Sequence, residues 1–277
     1  MSILKYPLFV SDIDGTLVNQ MKEIPEANKK TISTFRHQGG LFTLATGRSY
    51  MEAKRFIEEM DVRLPVILCN GGVIYDPATD RLQPTAAIER SMVFDALADL
   101  EKLTDILDIF IYTTDKVYAT GISPQTQAQI ETGEFPLELV GSYHHLPEVP
   151  WIKMVVVAEP QHMPQLHAWT ETVDYPLEFV QSSENYFEIL PQNVSKGNAV
   201  RQLAERFDLH PGQCAAIGDH LNDLSMVEMA GDSAAVANAH PKLIQAARRI
   251  VPSNEAAGVA HFVRHHLLAP VSQAQSQ

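Results

Sequence analysis

Leu8-Phe9-Val10-Ser11-Asp12-Ile13-Asp14-Gly15-Thr16 decides how the rest of the chain is read. A short apolar run ends in two carboxylates and a glycine, the pattern of a buried strand that stops at a turn. Downstream, the spacing predicts a helix over 26–37, stopped by Gly39-Gly40, which can take the positive φ of a helix C-cap. The motif then recurs: Leu41 to Ala45 reads as a strand running into Thr46-Gly47-Arg48, followed by a helix with Met51, Phe56, Ile57 and Met60 on its inner face. Pro65 to Cys69 reads as a third strand, ending in Asn70-Gly71-Gly72. Beyond a long middle segment come a helix over 197–207, a strand Cys214 to Ile217 ending in Gly218-Asp219, and short strands at 234–236 and 249–251. Strands alternating with helices predict an α/β fold with a parallel sheet of five or six strands covered on both faces.

The chain has 277 residues, 45% of them hydrophobic, and a net charge of −13. Such an acidic surface repels polyanions and excludes nucleic acid as the main partner. The charge is uneven: 84–187 carries 4 lysines and arginines against 16 acidic residues, which marks the middle as a separate acidic α/β body. Two cysteines, Cys69 and Cys214, form no disulfide framework and suit a reducing compartment. The first residues lack a signal-peptide pattern, and the longest apolar run, Met154 to Ala158, is far too short to span a bilayer, so the expected location is cytoplasmic. The tail from Ser272 to Gln277 is expected to be disordered.

Each polar cluster, Asp12/Asp14, Thr46-Gly47-Arg48, Asn70-Gly71-Gly72 and Gly218-Asp219 with Asn222-Asp223, follows the carboxyl end of a predicted strand. That edge of a parallel sheet is where ligands bind. Four carboxylates and few histidines favour a hard cation such as Mg²⁺, held together with substrate phosphate. Alternate residues of an extended strand face the same side, so Asp12 and Asp14 are expected to approach one substrate atom together, one as nucleophile and the other carrying a proton. Thr46, the backbone amides of the Gly15 turn and Lys196 are the donors and positive charge a phosphoryl transition state requires.

With Lys196-Gly197-Asn198 and Gly218-Asp219-His220-Leu221-Asn222-Asp223 added in order, the set resembles the motifs of haloacid dehalogenase superfamily phosphatases of the Cof-type subgroup. Ala237-Asn238-Ala239-His240-Pro241 and Ser253-Asn254 are similar to that subgroup's tail. The resemblance implies a Rossmann-like core from 1–83 and 188–277, with an inserted α/β cap at 84–187 that selects substrate. It makes Asp12 the nucleophile, Asp14 the general acid/base, Thr46 a phosphate ligand and Lys196 the residue stabilising nucleophile and phosphate. It assigns Mg²⁺ to the Asp12 side chain, the Asp14 carbonyl and Asp219, with Asp223 in direct or indirect contact. Candidate phosphate or substrate contacts are Gly15, Thr16, Gly47, Asn70, Gly71 and Asn222. The implied activity is hydrolysis of small phosphomonoesters such as sugar phosphates through a phospho-aspartate. The chain departs from the subgroup at Ala237, where glycine is common, and at Ala257, where an acidic residue is common.

Other readings compete. Thr46 also suits a helix N-cap, and Arg48 suits a structural ion pair. His261 and His265 have metal-ligand spacing but no evident third ligand. His144-His145 reads as a loop feature or a substrate contact, and both cysteines as inert core residues. A phosphomutase needs a second, arginine-rich phosphate clamp, whereas 84–187 contains only Arg90. A non-catalytic binding module would be expected to have lost one of the carboxylates, and none is missing.

Overall fold

The computed structural model describes residues 4–103, 105–129 and 135–268; the tail expected to be disordered lies outside them. In chain order the strands are β1 (Leu8–Ser11), β2 (Leu41–Leu44), β3 (Val66–Leu68), β4 (Val73–Asp76), β5 (Arg81–Pro84), β6 (Ile106–Tyr112), β7 (Val117–Ala119), β8 (Leu137–Leu139), β9 (Lys153–Ala158), β10 (Leu177–Gln181), β11 (Tyr186–Pro191), β12 (Cys214–Gly218), β13 (Asp232–Val236) and β14 (Arg249–Val251). They belong to two compact units, one of residues 1–44, 200–219 and 223–277, the other of residues 45–199 and 220–222. The segment 84–187 lies wholly inside the second.

The first unit is built on a five-stranded sheet in the order β14-β13-β12-β1-β2, with every pairing parallel. All four residues of β1 are buried, as a strand covered on both faces requires. Phe9 anchors the core, its ring 6.1 Å from Phe35, 5.5 Å from Phe42 and 5.9 Å from Phe262. The helix Glu26–His37 supplies Phe35 and Ile32 from its apolar face and ends before Gly39, whose φ is +90°. Order along the sheet reverses at β1, which has β2 on one side and β12 on the other; carboxyl ends at such a switch point form a natural ligand crevice.

The second unit contains two sheets. β3, β4 and β5 form an antiparallel meander, which corrects the expectation that Pro65 to Cys69 extends the main sheet: among the described residues its parallel pairing is a single bridge between Ala45 and Ile67. Cys69 and Asn70 both take positive φ, and that turn sends the chain back as β4 after only three strand residues. The six-stranded sheet runs β10-β11-β9-β6-β7-β8, antiparallel except for β7 with β8. The helices Arg90–Leu100 and Met163–Thr170 pack on one of its faces through Val93, Leu97, Leu166 and Trp169 against Met154, Val156, Phe187 and Ile189. Strand alternation puts Lys153, Val155 and Glu188 on the opposite face. Met51, expected to point inward, is 44% exposed, because the helix Tyr50–Glu59 buries Ala53, Phe56 and Ile57 instead.

Candidate active site

In the first unit the site begins where β1 ends. Asp12, 4% exposed, donates its backbone N–H to the Ile217 carbonyl at 3.1 Å, which ties the ends of β1 and β12 together. The strand stops at Ser11, and Gly15 turns the chain with φ +67°. A side chain at Gly15 would be strained at this φ and would have to displace the Asp219 carboxylate, since a Cβ there would lie 2.2 Å from Asp219 Oδ2. Thr16 donates its hydroxyl to Asp219 Oδ1 at 3.2 Å, and Asp223 Oδ2 accepts the Asp219 N–H at 2.9 Å. The result is a convergence of Asp12, Asp219 and Asp223, with one carboxylate oxygen of each lying within 4.8 Å of the others.

Asp14 behaves differently from the alternation argument. The backbone leaves the strand before reaching it, so Asp12 and Asp14 share no strand face. Asp14 Oδ1 meets the Lys22 ammonium at 2.8 Å, both side chains being about two-fifths exposed. Sequence reasoning missed Lys22, eight residues away and without a motif of its own.

The surrounding loops are held by amides. Asn238 donates to the Gly15 carbonyl at 2.9 Å and accepts the Asn254 N–H at 3.0 Å, and Asn254 donates to the Val18 carbonyl at 2.9 Å. This relay gives Asn238 a firm role despite the departure at Ala237. Ala257 sits at φ +54°, a left-handed conformation that favours glycine or asparagine.

In the second unit Thr46 is 1% exposed, and its backbone is fixed at both ends: its N–H donates to the Ile67 carbonyl and its own carbonyl accepts the Asn70 N–H, both at 2.9 Å. Thr46 Oγ1 accepts the Arg48 N–H at 3.1 Å, which leaves the hydroxyl proton directed elsewhere as a donor. Asn70, 1% exposed, accepts from Asn222 Nδ2 at 3.0 Å, while its own Nδ2 is buried without a partner. An orphaned buried donor beside Thr46 suits an anionic or carbonyl ligand. Gly71, at φ +101°, lies so close to the Ser195 carbonyl that a Cβ would come within 2.6 Å of it. Lys196, fully buried, opens the helix Lys196–Arg206 immediately afterwards. His220 bonds through Nδ1 to the Gln181 carbonyl at 3.0 Å, a contact no motif announced.

The remaining candidates are accounted for within the packing. Burial pushes the Cys69 thiol up to about 12 and the Cys214 thiol up to about 11, so neither is a thiolate near neutrality. His144 stacks on Phe94 at 4.3 Å. The His261 and His265 rings lie 4.5 Å apart, but among the described residues Asp12, Asp219 and Asp223 are the one group placed to share a metal ion.

The family profile of haloacid dehalogenase-like hydrolases matches residues 9–263. The chain belongs to this family. It is 29% identical over 276 residues to the putative phosphatase YxeH of Bacillus subtilis, covering 95% of this chain and 99% of that protein. It is 26% identical over 268 residues to the HMP-PP phosphatase of Yersinia enterocolitica, covering 96% and 97%. A solved haloacid dehalogenase-like hydrolase from B. subtilis superposes with a TM-score of 0.84 at 24% identity, covering 94% of this chain and all of that one, which shows the shared fold. The protein is therefore a Cof-type phosphatase of the haloacid dehalogenase-like family, a phosphoric monoester hydrolase with an α/β fold. No helix among the described residues is long and apolar enough to cross a membrane.

Proposed function

We propose that this phosphatase is Mg²⁺-dependent and hydrolyses small phosphomonoesters, sugar phosphates or similar metabolites, through a phospho-aspartate at Asp12. The observation carrying this reading is the convergence of Asp12, Asp219 and Asp223 at the switch point of the parallel sheet. Three close carboxylates are a hard-oxygen donor set, two of them buried, and fit a small divalent cation. Their side chains and the Asp14 carbonyl would hold it, and when bound it neutralises charge on the transferring phosphoryl group. The Asp12 carboxylate attacks phosphorus, the ester P–O bond breaks, and Asp14 gives the leaving alkoxide its proton. Water then attacks the acyl phosphate and passes a proton to Asp14; orthophosphate leaves and Asp12 is regenerated. In the roles the resemblance assigns, the Thr46 hydroxyl and the amides of Asn70 and Asn222 donate to the phosphate or the substrate, and Lys196 contributes positive charge.

A relative that acts on HMP-PP supports a small phosphorylated metabolite as substrate. Against a mutase stands the fate of Arg90, whose guanidinium lies 4.4 Å from the Trp151 ring centroid and donates to the Leu146 and Pro147 carbonyls. It is committed to packing rather than to a second phosphate. Asp12→Asn is expected to abolish orthophosphate release from p-nitrophenyl phosphate with an unchanged circular dichroism spectrum. Retained turnover would remove Asp12 as nucleophile.

A further inference from the structure

The second unit buries an ion pair for which the reaction has no direct use. Lys153 Nζ lies 2.6 Å from Glu188 Oε2, with the two side chains 3% and 4% exposed. The same ammonium donates to the Gly47 carbonyl at 2.8 Å and sits 4.4 Å from the Tyr112 ring centroid. Burial disfavours the Lys153 charge, but the attraction and hydrogen bond of Glu188, with Cys69 and Glu52 adding to them, outweigh it and hold the ammonium above its ordinary pKa. Gly47 is closely packed at its Cα as well: a Cβ there would meet Glu188 Oε1 at 3.2 Å and Asn70 Oδ1 at 3.3 Å.

Replacing a buried ion pair by well-packed apolar residues is often neutral or stabilising, so stability does not account for this pair. What apolar residues cannot do is hold a carbonyl oxygen. The carbonyl of Gly47 and the N–H of Arg48 belong to one peptide group, which is planar and trans, so fixing the oxygen fixes the direction of the N–H. That N–H is the donor received by Thr46 Oγ1 at 3.1 Å. With this lone pair engaged, the Thr46 proton is turned away from the Gly47–Arg48 peptide.

We infer that Lys153 and Glu188 are positioning residues that orient the Thr46 hydroxyl through the Gly47–Arg48 peptide plane. Glu188 holds the ammonium, the ammonium holds the carbonyl, and the amide hydrogen on the far side of the plane sets the hydroxyl. The inference rests on the reading of Thr46 as a phosphate ligand.

The test is steady-state turnover of p-nitrophenyl phosphate with Mg²⁺ by the full chain. Lys153→Met is expected to lower kcat by about 10- to 100-fold, as for a donor displaced from the transition state, with KM changed by less than about 3-fold. Lys153→Arg, which can still reach the carbonyl, is expected to recover most of kcat. The exchange Lys153→Glu with Glu188→Lys re-forms a pair but turns a carboxylate toward the Gly47 oxygen, so thermal stability should return without kcat. Wild-type kcat in folded Lys153→Met, or recovery of kcat together with stability in the exchanged pair, would overturn the inference. Should Lys153→Met not fold, the isosteric Glu188→Gln still decides: a displaced Arg48 amide resonance in a ¹⁵N spectrum and a lower kcat are expected, and no change in either refutes positioning. A wild-type chain inert toward every phosphomonoester would instead refute the proposed function, and the Arg48 amide resonance in Glu188→Gln would then judge the positioning role alone.

Discussion

Both units bury charge, and they do so in opposite ways. In the first, three carboxylates of like sign, from Asp12, Asp219 and Asp223, converge to within 4.8 Å. In the second, Lys153 and Glu188 meet at 2.6 Å with opposite signs. Like charges brought together repel, and a fold keeps such an arrangement only where something outside the chain makes it worthwhile. A matched pair needs nothing from outside. The first arrangement is thus the one to expect at a site of chemistry, the second in the scaffold that holds one.

Removing divalent cation separates the two most sharply. Chelation with EDTA should reduce phosphate release to background and added Mg²⁺ should restore it, while leaving the Lys153–Glu188 contact untouched; turnover that survives exhaustive chelation would break the contrast. Next in size is stability. Lys153→Met leaves Glu188 buried and uncompensated and should cost about 3–5 kcal/mol in urea unfolding, whereas Asp219→Asn relieves repulsion and should leave the metal-free melting temperature unchanged or higher. Equal losses in both would mean that the carboxylates are compensated as fully as the pair.

Backbone strain offers a smaller contrast. Asn70 and Ala257 both adopt left-handed φ, +56° and +54°, but Asn70 accepts a hydrogen bond through its side-chain amide there, whereas Ala257 has no polar side chain to use. Ala257→Gly should therefore stabilise by about 1 kcal/mol, while Asn70→Gly, equally relaxed in backbone, should lower phosphatase activity. The smallest effect is a pH dependence confined to the first unit. Burial first, then neighbouring positive groups, lowers the pKa of His261 and His266 from 6.5. Their unfolded forms take up protons at higher pH than the folded forms, so the stability they allow is present above 6.5 and is lost as pH falls through that value. The melting temperature should fall between about pH 7.5 and about pH 5.5, and less steeply in His261→Gln.

The two arrangements were also unequally legible. Asp12, Asp219 and Asp223 could be read because each follows a buried strand, and the carboxyl edge of a parallel sheet gathers such residues whatever their separation in sequence. Lys153 and Glu188 could not. Each begins or interrupts an apolar run, where a single charge reads as a solvated edge, and their opposite signs cancel in any charge count. Only the antiparallel pairing of β9 with β11 brings them together across 35 positions. The main helices and the strands of the parallel sheet followed from periodicity. β7 and β8 did not, being three residues long and lacking a hydrophobic pattern strong enough to declare them. β3 misled because an apolar run looks the same in either sheet, and the positive φ at Cys69 and Asn70 decides where it goes.

The relay from Gly15 through Asn238 and Asn254 to Val18 is made entirely of neutral groups: the Asn238 amide donates to one carbonyl and accepts the Asn254 N–H, while the Asn254 amide donates to the other carbonyl. Amides of this kind are among the thermally labile residues. Hydrolysis of either side chain to the acid would turn an oxygen toward a backbone carbonyl where a hydrogen had been. Long incubation at elevated temperature should therefore wear this enzyme out at the loops beside Asp12 well before its hydrophobic interior gives way, and mass increments of about one dalton at these two asparagines would mark the ageing.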